Sequence, residues 1–515
     1  MKKNKIIANL FMALAMLSPT AVLFAEPVAT ATSACQDFGA FNIFTNSGAS
    51  VTLSLESALN SAINNNIALK VEKFAPELSK SAIEKEKARF DTGVSADFSG
   101  TERIGKTISQ LGDLGDSVSN RTDASINFER LSTSGTTTSL DLSVARSRSA
   151  RASNLFATRL GLSLSHPLRK GAGKDVNLVS LRQAELDLEW SEFELKAFVM
   201  NLVAQVETQY WQYYLAIREL EIVKESLNLA RQQREETHRK IEAGSIAESE
   251  EAAADAEVAM RQEDLINAES KAVSTAVSLL RSVNPDPENF WRLRPELQDE
   301  PTLSQPEQLE LDDHLTVALA MRPELAQAKL LNKKDELEII SSKNGMLPRL
   351  DFFVTMGKTG YAKSFGGSNP KLSEEGSYDI SAGFTYDLTR GRRSARAELN
   401  KAKNSAAMRK EAIRNLEQLI KEDVIRAFIE VKRTIQQLTA TAATSQKQLE
   451  KLRVEEVKFN VGKTTAFQVA QAQRDLTEAR IAEARAAVDY TVAITELLLA
   501  DGSLLERNDI TTTSY

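Results

Sequence analysis

The chain has 515 residues, of which 26% are charged and only 6% aromatic, and its net charge is −7. Charges of both signs are interspersed, so the basic stripe that a nucleic-acid partner needs is missing. Alanine-rich, aromatic-poor sequence suits long, thin, helix-packed bodies better than a thick globular core.

Residues 1–25 read as a secretory signal: Lys2, Lys3 and Lys5 form the basic region, Leu10 to Leu17 the apolar core, and Ala25 the cleavage point. The apolar stretch is too short for an anchoring helix and is followed by Pro27. No later stretch approaches the roughly 18 apolar residues of a membrane-spanning helix. Residues 26–52 form an N-terminal extension that holds the chain's one cysteine, Cys35, so no internal disulfide is expected. Thr32-Ser33-Ala34-Cys35 faintly resembles a lipoprotein cleavage site, with Thr32 where an aliphatic residue belongs. Lipidation and a plain exported cysteine both fit.

From residue 53 the chain contains itself twice. Residues 53–283 are the first repeat, 284–308 a linker, 309–502 the second repeat and 503–515 a tail. Leu55, Leu59, Ala62, Ile63 and Leu69 recur as Leu311, Leu315, Ala318, Leu319 and Leu325. Val206, Tyr210, Leu220, Lys240, Gly244 and Ala252 recur as Val424, Phe428, Leu438, Lys458, Gly462 and Ala470. The offset changes only between these sets, so the first copy carries an insertion. Repeats this long exclude a solenoid and indicate one duplicated half of an elongated body.

Each repeat reads as helix, strands, very long helix, tight turn, helix. The long helices, about Val176 to Ala243 and Ser394 to Val461, carry apolar residues in steps of seven: Leu181, Leu188, Leu195 and Leu202, then Val199, Val206, Tyr213, Leu220 and Leu227, and in the second copy Val424, Val431, Leu438 and Leu452. A sustained step of seven is a coiled-coil seam, and such helices extend roughly 100 Å. Ser54 to Arg89, Ile246 to Val283, Glu310 to Asn344 and Thr464 to Ala500 are expected as helices of roughly 55 Å, so two placed end to end match one long helix. The linker holds Pro285, Pro287, Pro295, Pro301 and Pro306 and cannot continue a helix. It reads as a band around the waist, joined by the tail after Gly502, with Asp509 to Tyr515 a loose polar end.

The strands fall at about 93–165 and 349–388. Tyr378, Ile380, Ala382, Phe384, Tyr386 and Leu388 alternate with polar residues, as do Leu350, Phe352, Val354 and Met356, then Phe156, Leu160, Leu162 and Leu164, and Val94, Ala96 and Phe98. Segments near ten residues with one apolar face suit an outer-membrane barrel; a soluble hairpin looks the same locally, but no other apolar mass is available to cover these faces. Two strands per repeat make four per chain. Four cannot enclose a channel, and an open edge cannot stand in lipid, so several chains should share one barrel. A further alternating pair at about 123–147, with Gly135 between, reads as an extra hairpin in an external loop; its joining the barrel stays open.

With these pieces in order, the chain resembles the TolC family of outer-membrane efflux and secretion ducts from Leu53 to about Gly502. The resemblance rests on Leu53-Ser-Leu-Glu-Ser-Ala-Leu59, the strand end His166-Pro-Leu-Arg-Lys-Gly-Ala-Gly173, the Leu347-Pro348 strand entry and the tips Ala243-Gly244-Ser245 and Val461-Gly462-Lys463. It implies a mainly α fold with a β-barrel part: duplicated helical hairpins forming an α-barrel plus transmembrane strands, in a homotrimer of twelve strands. It also implies the outer membrane of a Gram-negative-type bacterium, with its lipid around the barrel and the helices in the periplasm. The implied function is passive conduction as the exit duct of a tripartite efflux pump or type I secretion system, with cargo received from an inner-membrane RND, ABC or MFS transporter through a periplasmic adaptor. A periplasmic coiled-coil adaptor or structural protein is the alternative; it would usually show one hairpin, a lipoyl-like segment and an inner-membrane anchor.

Gly244 and Gly462 each end a long helix, where a left-handed residue favours glycine. The resemblance makes Gly244, Ser245, Gly462 and Lys463 the tips that dock the adaptor. It also places the closed entrance six and nine residues beyond the second tip glycine, where family aspartates are replaced here by Gln468 and Gln471. Glu250 is the repeat counterpart of Gln468 and a further constriction candidate, although acids also simply suit a helix start.

Gly100-Thr-Glu-Arg-Ile-Gly105-Lys106-Thr107 matches the phosphate-loop pattern, but the segment after Thr107 is broken by Gly112 and Gly115, whereas the mechanism requires a helix there; a polar barrel loop is expected. His166, His238 and His314 are scattered, so no metal site is expected. Cys35 has no evident base partner. No enzyme and no cofactor are expected.

Overall fold

The computed structural model describes residues 50–108, 114–149, 152–245, 247–286, 288–301, 310–374, 377–388 and 390–511. The export signal with Ala25, Pro27 and Cys35 lies outside the described residues, as do Pro287, Pro306 and the chain end after Thr511.

The chain starts at the waist. β1 (Ser50–Leu53) leads into α1 (Leu55–Asn65), α2 (Ile67–Glu72) and α3 (Phe74–Lys87). Ser54 opens α1 with a capping box, its hydroxyl accepting from the Ser57 amide at 3.2 Å while the Ser54 amide donates to Ser57 Oγ at 2.9 Å. Then come β2 (Thr92–Ile108), β3 (Leu114–Leu131), β4 (Thr137–Ser149) and β5 (Ala152–Pro167). A short α4 (Lys174–Asn177) precedes the long α5 (Val179–Glu242), and α6 (Ser249–Val283) returns to the waist. β6 (Arg294–Leu297) lies in the linker and pairs in parallel with β1. The second copy comes next: α7 (Leu311–Met321), α8 (Pro323–Gly345), β7 (Arg349–Ala362), α9 (Phe365–Glu374), β8 (Ser377–Asp387), α10 (Arg393–Asn460) and α11 (Ala466–Asp501), then α12 (Leu504–Arg507) in the tail.

The expected helix of residues 54–89 is three helices and that of 310–344 is two. The breaks match across the repeat. Asn66 and Arg322 both take extended backbone. Pro323 disfavours helix at the residue before it. Asn66 instead caps α2, accepting from the Leu69 amide at 3.1 Å, and its Nδ2 donates to the Ser282 carbonyl at 3.0 Å.

The step-of-seven residues form the seam. Val199, Val206, Tyr213 and Leu227 of α5 are buried, as are Val424, Val431 and Leu452 of α10. α5 packs on α6 over its lower half and on α1 and α3 above; α10 packs likewise on α11 below and on α7 and α8 above. Each half is thus one long helix beside two stacked shorter segments.

Two tyrosines fix the waist band to α5. Tyr210, fully buried, donates from its hydroxyl to the Leu53 carbonyl at 3.1 Å and lies 3.1 Å from Asp299 Oδ2. That carboxylate also accepts from the Leu55 amide at 2.6 Å. The Tyr213 hydroxyl donates to the Pro295 carbonyl at 2.9 Å. Burial pushes both phenols up to about 12. Leu504, Leu505 and Ile510 of the tail bury in the same core, so the start of the expected loose end is packed.

The sheet differs most from expectation. Among the described residues it has six strands, all antiparallel, in the order β2-β3-β4-β5-β7-β8. The sheet holds six strands per chain where four were expected: the hairpin of residues 123–147, whose place the sequence left open, pairs between β2 and β5 in the same sheet. Gly100 to Thr107, expected as a polar loop, continues β2 in register with β3. Each segment finds an antiparallel neighbour on the side the turn allows, so pairing extends past the apolar core of the strand.

Glu207 of α5 supplies a test of the waist. It is only 5% exposed and accepts from Thr495 Oγ1 at 2.6 Å and Asn508 Nδ2 at 2.7 Å. Burial raises its carboxyl above the ordinary 4.5. The folded state therefore holds this proton more tightly than the unfolded state, so the contribution to stability is greatest at low pH and declines as pH rises from about 4.5 through the folded value. Glu207→Gln removes the titration and keeps an acceptor. Thermal melts should show the variant gaining on the parent between pH 4 and pH 7.5; an equal difference at both pH values would mean the carboxylate carries no burial cost.

Candidate functional site

The two hairpin tips are built alike. The Gly244 amide donates to the Ile241 carbonyl at 2.8 Å and the Ser245 amide to the Lys240 carbonyl at 2.9 Å. At the second tip the Gly462 amide donates to the Phe459 carbonyl at 3.0 Å and the Lys463 amide to the Lys458 carbonyl at 2.8 Å. This pattern closes a helix through a left-handed residue, and the glycines have φ of 70° and 72°. Gly244, Ser245, Gly462 and Lys463 lie at the end of their hairpins, the glycines and Ser245 exposed. The hairpins are joined near these ends: Lys240 Nζ lies 3.8 Å from the centre of the Phe459 ring, a cation–π contact. Higher up, Arg480 pairs with Glu225 at 3.0 Å and Arg485 with Glu219 at 3.1 Å, bridging α11 to α5.

Gln468 and Gln471 lie on the first turns of α11, both exposed. Gln468 Oε1 accepts from the Thr464 hydroxyl. Gln471 donates from Nε2 to Asp475 Oδ1 at 2.8 Å. Residues 468, 471 and 475 follow the three-and-four spacing that puts side chains on one helix face. Sequence reasoning missed Asp475, although its spacing from Gln471 is the signal that could have found it. It pairs with Lys451 Nζ at 2.6 Å, which holds its carboxyl below the usual carboxylate range. The repeat counterpart of Asp475 is Glu257, which is buried against Arg261 at 2.9 Å, with Arg474 at 3.7 Å. Both hairpins thus place a neutralised acid two turns in. Glu250 is half-buried at the start of α6, on the other hairpin. Beside it a Glu251 carboxylate oxygen lies 2.9 Å from His238 Nδ1.

At the other end of the long helices stands the sheet, with two chemically different faces. Val94, Phe128, Leu140, Leu162, Met356 and Ile380 are aligned across all six strands. The adjoining positions Ser95, Asn127, Asp141, Gly161, Gly357 and Asp379 form the opposite face. On that polar face Arg159 spans β7 to grip Asp379 at 2.6 and 2.8 Å, and the Ser139 and Ser163 hydroxyls meet at 2.6 Å. Among the described residues no helix is long and apolar enough to cross a membrane, and no group of three or more His, Cys, Asp or Glu could hold a metal ion.

Residues 130–284 and 315–503 match the outer membrane efflux protein family. That is more than half of the chain, and the chain belongs to this family. Solved structures share its fold. The outer-membrane channel OprN is 17% identical with a TM-score of 0.67, covering 87% of this chain and 90% of its own. The CmeC outer membrane channel of Campylobacter jejuni is 14% identical with a TM-score of 0.65, covering 87% and 86%. The MtrE outer membrane channel of Neisseria gonorrhoeae, solved in its open state, is 17% identical with a TM-score of 0.62, covering 89% and 91%. No curated protein matches this chain by sequence. The chain is an outer-membrane efflux duct that extends into the periplasm.

An added Cβ at Gly244 or Gly462 meets nothing within 4 Å, so only backbone strain opposes substitution there. Gly→Asn should be nearly neutral, whereas Gly→Val should cost about 1–2 kcal/mol per tip, read as faster amide exchange in the last turns of α5 or α10. Equal exchange in both variants would mean the tips relax out of the left-handed turn.

Proposed function

We propose that three copies of this chain form one continuous conduit, passively passing cargo that an inner-membrane RND, ABC or MFS transporter delivers through a periplasmic adaptor. The observation that carries this reading is an amphipathic sheet with two free edges. It can stand in lipid only if copies close it, which fixes a ring of chains with the polar face inside. In that ring the tips Gly244–Ser245 and Gly462–Lys463 form the periplasmic end and dock the adaptor.

Gln468 and Gln471 line the entrance in this arrangement. Three copies bring six amides together, and the acid on the same face, Asp475, is already neutralised by Lys451. The entrance is therefore weakly charged. The double variant Gln468→Asp, Gln471→Asp adds up to six carboxylates to one constriction, which raise one another's pKa and attract cations. Bilayer recordings should show the variant turning cation-selective and blocked by multivalent cations that barely affect the parent. Unchanged selectivity and block would move the constriction away from α11, with Glu250 the next residue to substitute.

A further inference from the structure

We propose that the inserted β3–β4 hairpin is part of the lipid-facing wall, so that the duct ends in an eighteen-stranded barrel as wide as its helical tunnel. The count rests on the three-copy reading of the function; the place of the hairpin in the wall does not.

Three observations support the hairpin's place. The first is register. β3 pairs with β2 over the whole length of β2, and β4 with β5 from Thr137↔Ser165 to Ala145↔Ala157 without a bulge. The hairpin therefore interrupts no ladder; it is inserted between two strands that would otherwise be neighbours. The second is chemistry. Ile126 and Phe128 of β3, and Leu140 and Leu142 of β4, occupy the apolar rows of the sheet and are 39–42% exposed, matching Leu160 and Leu162 of β5. An external hairpin has no reason to keep this band at the same height on the same face. Water would leave four large apolar side chains uncovered, and lipid covers them.

The third is the turn at the foot of the hairpin. Residues 132–136 lie at the helix end of the sheet, clamped to the base of β5. The Gly173 amide donates to the Ser134 carbonyl at 3.1 Å, and Thr136 Oγ1 meets His166 Nδ1 at 2.7 Å. Gly135, with φ of 92°, lies so close that an added Cβ would sit 2.3 Å from the Gly171 carbonyl oxygen. Short turns on the periplasmic side are the rule for membrane barrels, and this one is packed onto the segment that leads into α4.

The geometry of closure gives the width. Eighteen strands about 4.8 Å apart and tilted roughly 35–45° make a ring about 34–39 Å across, whereas twelve make one of only about 23–26 Å. At any height each chain contributes two long helices and two shorter ones. Twelve helices spaced about 8–10 Å apart make a ring roughly 31–39 Å across. The six-stranded contribution therefore continues the tunnel without a taper, and the mouth admits bulky cargo from the full bore. The polar face is small at Ser139, Ser163 and Gly161, while Arg159 lies flat over Gly357 to reach Asp379.

Arginine substitution tests the wall. Ile126→Arg and Leu142→Arg place charge where lipid is proposed, and Leu162→Arg does so on β5. All three should reduce the heat-dissociable oligomer in the outer membrane at least tenfold, while Ser125→Arg and Ser143→Arg on the polar face assemble normally. Tolerance of Ile126→Arg and Leu142→Arg, with Leu162→Arg still defective, would put the hairpin outside the wall and overturn the proposal while leaving the duct intact. Tolerance of all three would instead sink the membrane barrel itself. A second readout uses the unmodified channel in bilayers. A neutral polymer about 20 Å across should enter from the external side of an eighteen-stranded mouth, allowing roughly 5 Å of side chain on each wall, and should be excluded from a twelve-stranded one. Exclusion would overturn the wide mouth.

Discussion

Hydrocarbon offers no hydrogen bonds, and this fact governs the molecule. Every backbone amide and carbonyl of a strand in lipid must be paired by another strand. Among the described residues β2 and β8 have one neighbour each, and β8 is exposed along nearly all its length. A chain that alternates apolar and polar residues across six strands has made two chemically distinct faces and left two edges. In the proposed ring other copies close those edges, and the polar face turns inward because the apolar face must turn out.

The helices then have to continue a ring that the strands begin. Duplication meets this need, since each repeat supplies one long helix and stacked partners of matching height. The stacking leaves a join at mid-height, and a join is where polar backbone ends would be left unpaired. The waist band fills it. Asp299 takes the Leu55 amide at the start of α1, Tyr210 and Tyr213 hold β1 and β6 to α5, and Asn284 Nδ2 donates to the Asn65 carbonyl at 3.0 Å. At the repeat-related break Arg322 Nε donates to the Ala500 carbonyl at 2.6 Å, so the second copy satisfies its join with a guanidinium. The two copies kept the length of their helices below the join and diverged in the chemistry of the join.

Much of this is legible in the residues. The step of seven from Val199 to Leu227 is buried except at half-buried Leu220, because a sustained period of seven on an α-helix marks a seam. The tips are legible because Gly244 and Gly462 fall where a hairpin needs a left-handed residue. The hairpin of residues 123–147 is harder, since alternation gives a strand two faces and says nothing of its neighbours. Its tie to the base of β5 through Thr136 and His166 depends on contacts 30 residues apart. The break at Asn66 is hidden for a similar reason, because asparagine within a helical stripe reveals itself as a cap only when its partner, the Ser282 carbonyl, is known. Asp475 escapes a reading of the residues because its neutralising partner, Lys451, lies on the preceding helix, 24 residues away.

Native mass spectrometry of the complex extracted from outer membranes tests closure across copies most directly. A single species with the mass of three chains, falling to one chain only on heating, is the expected result. A stable single chain carrying the same sheet in lipid would contradict it, since its two edges would then have to close on each other.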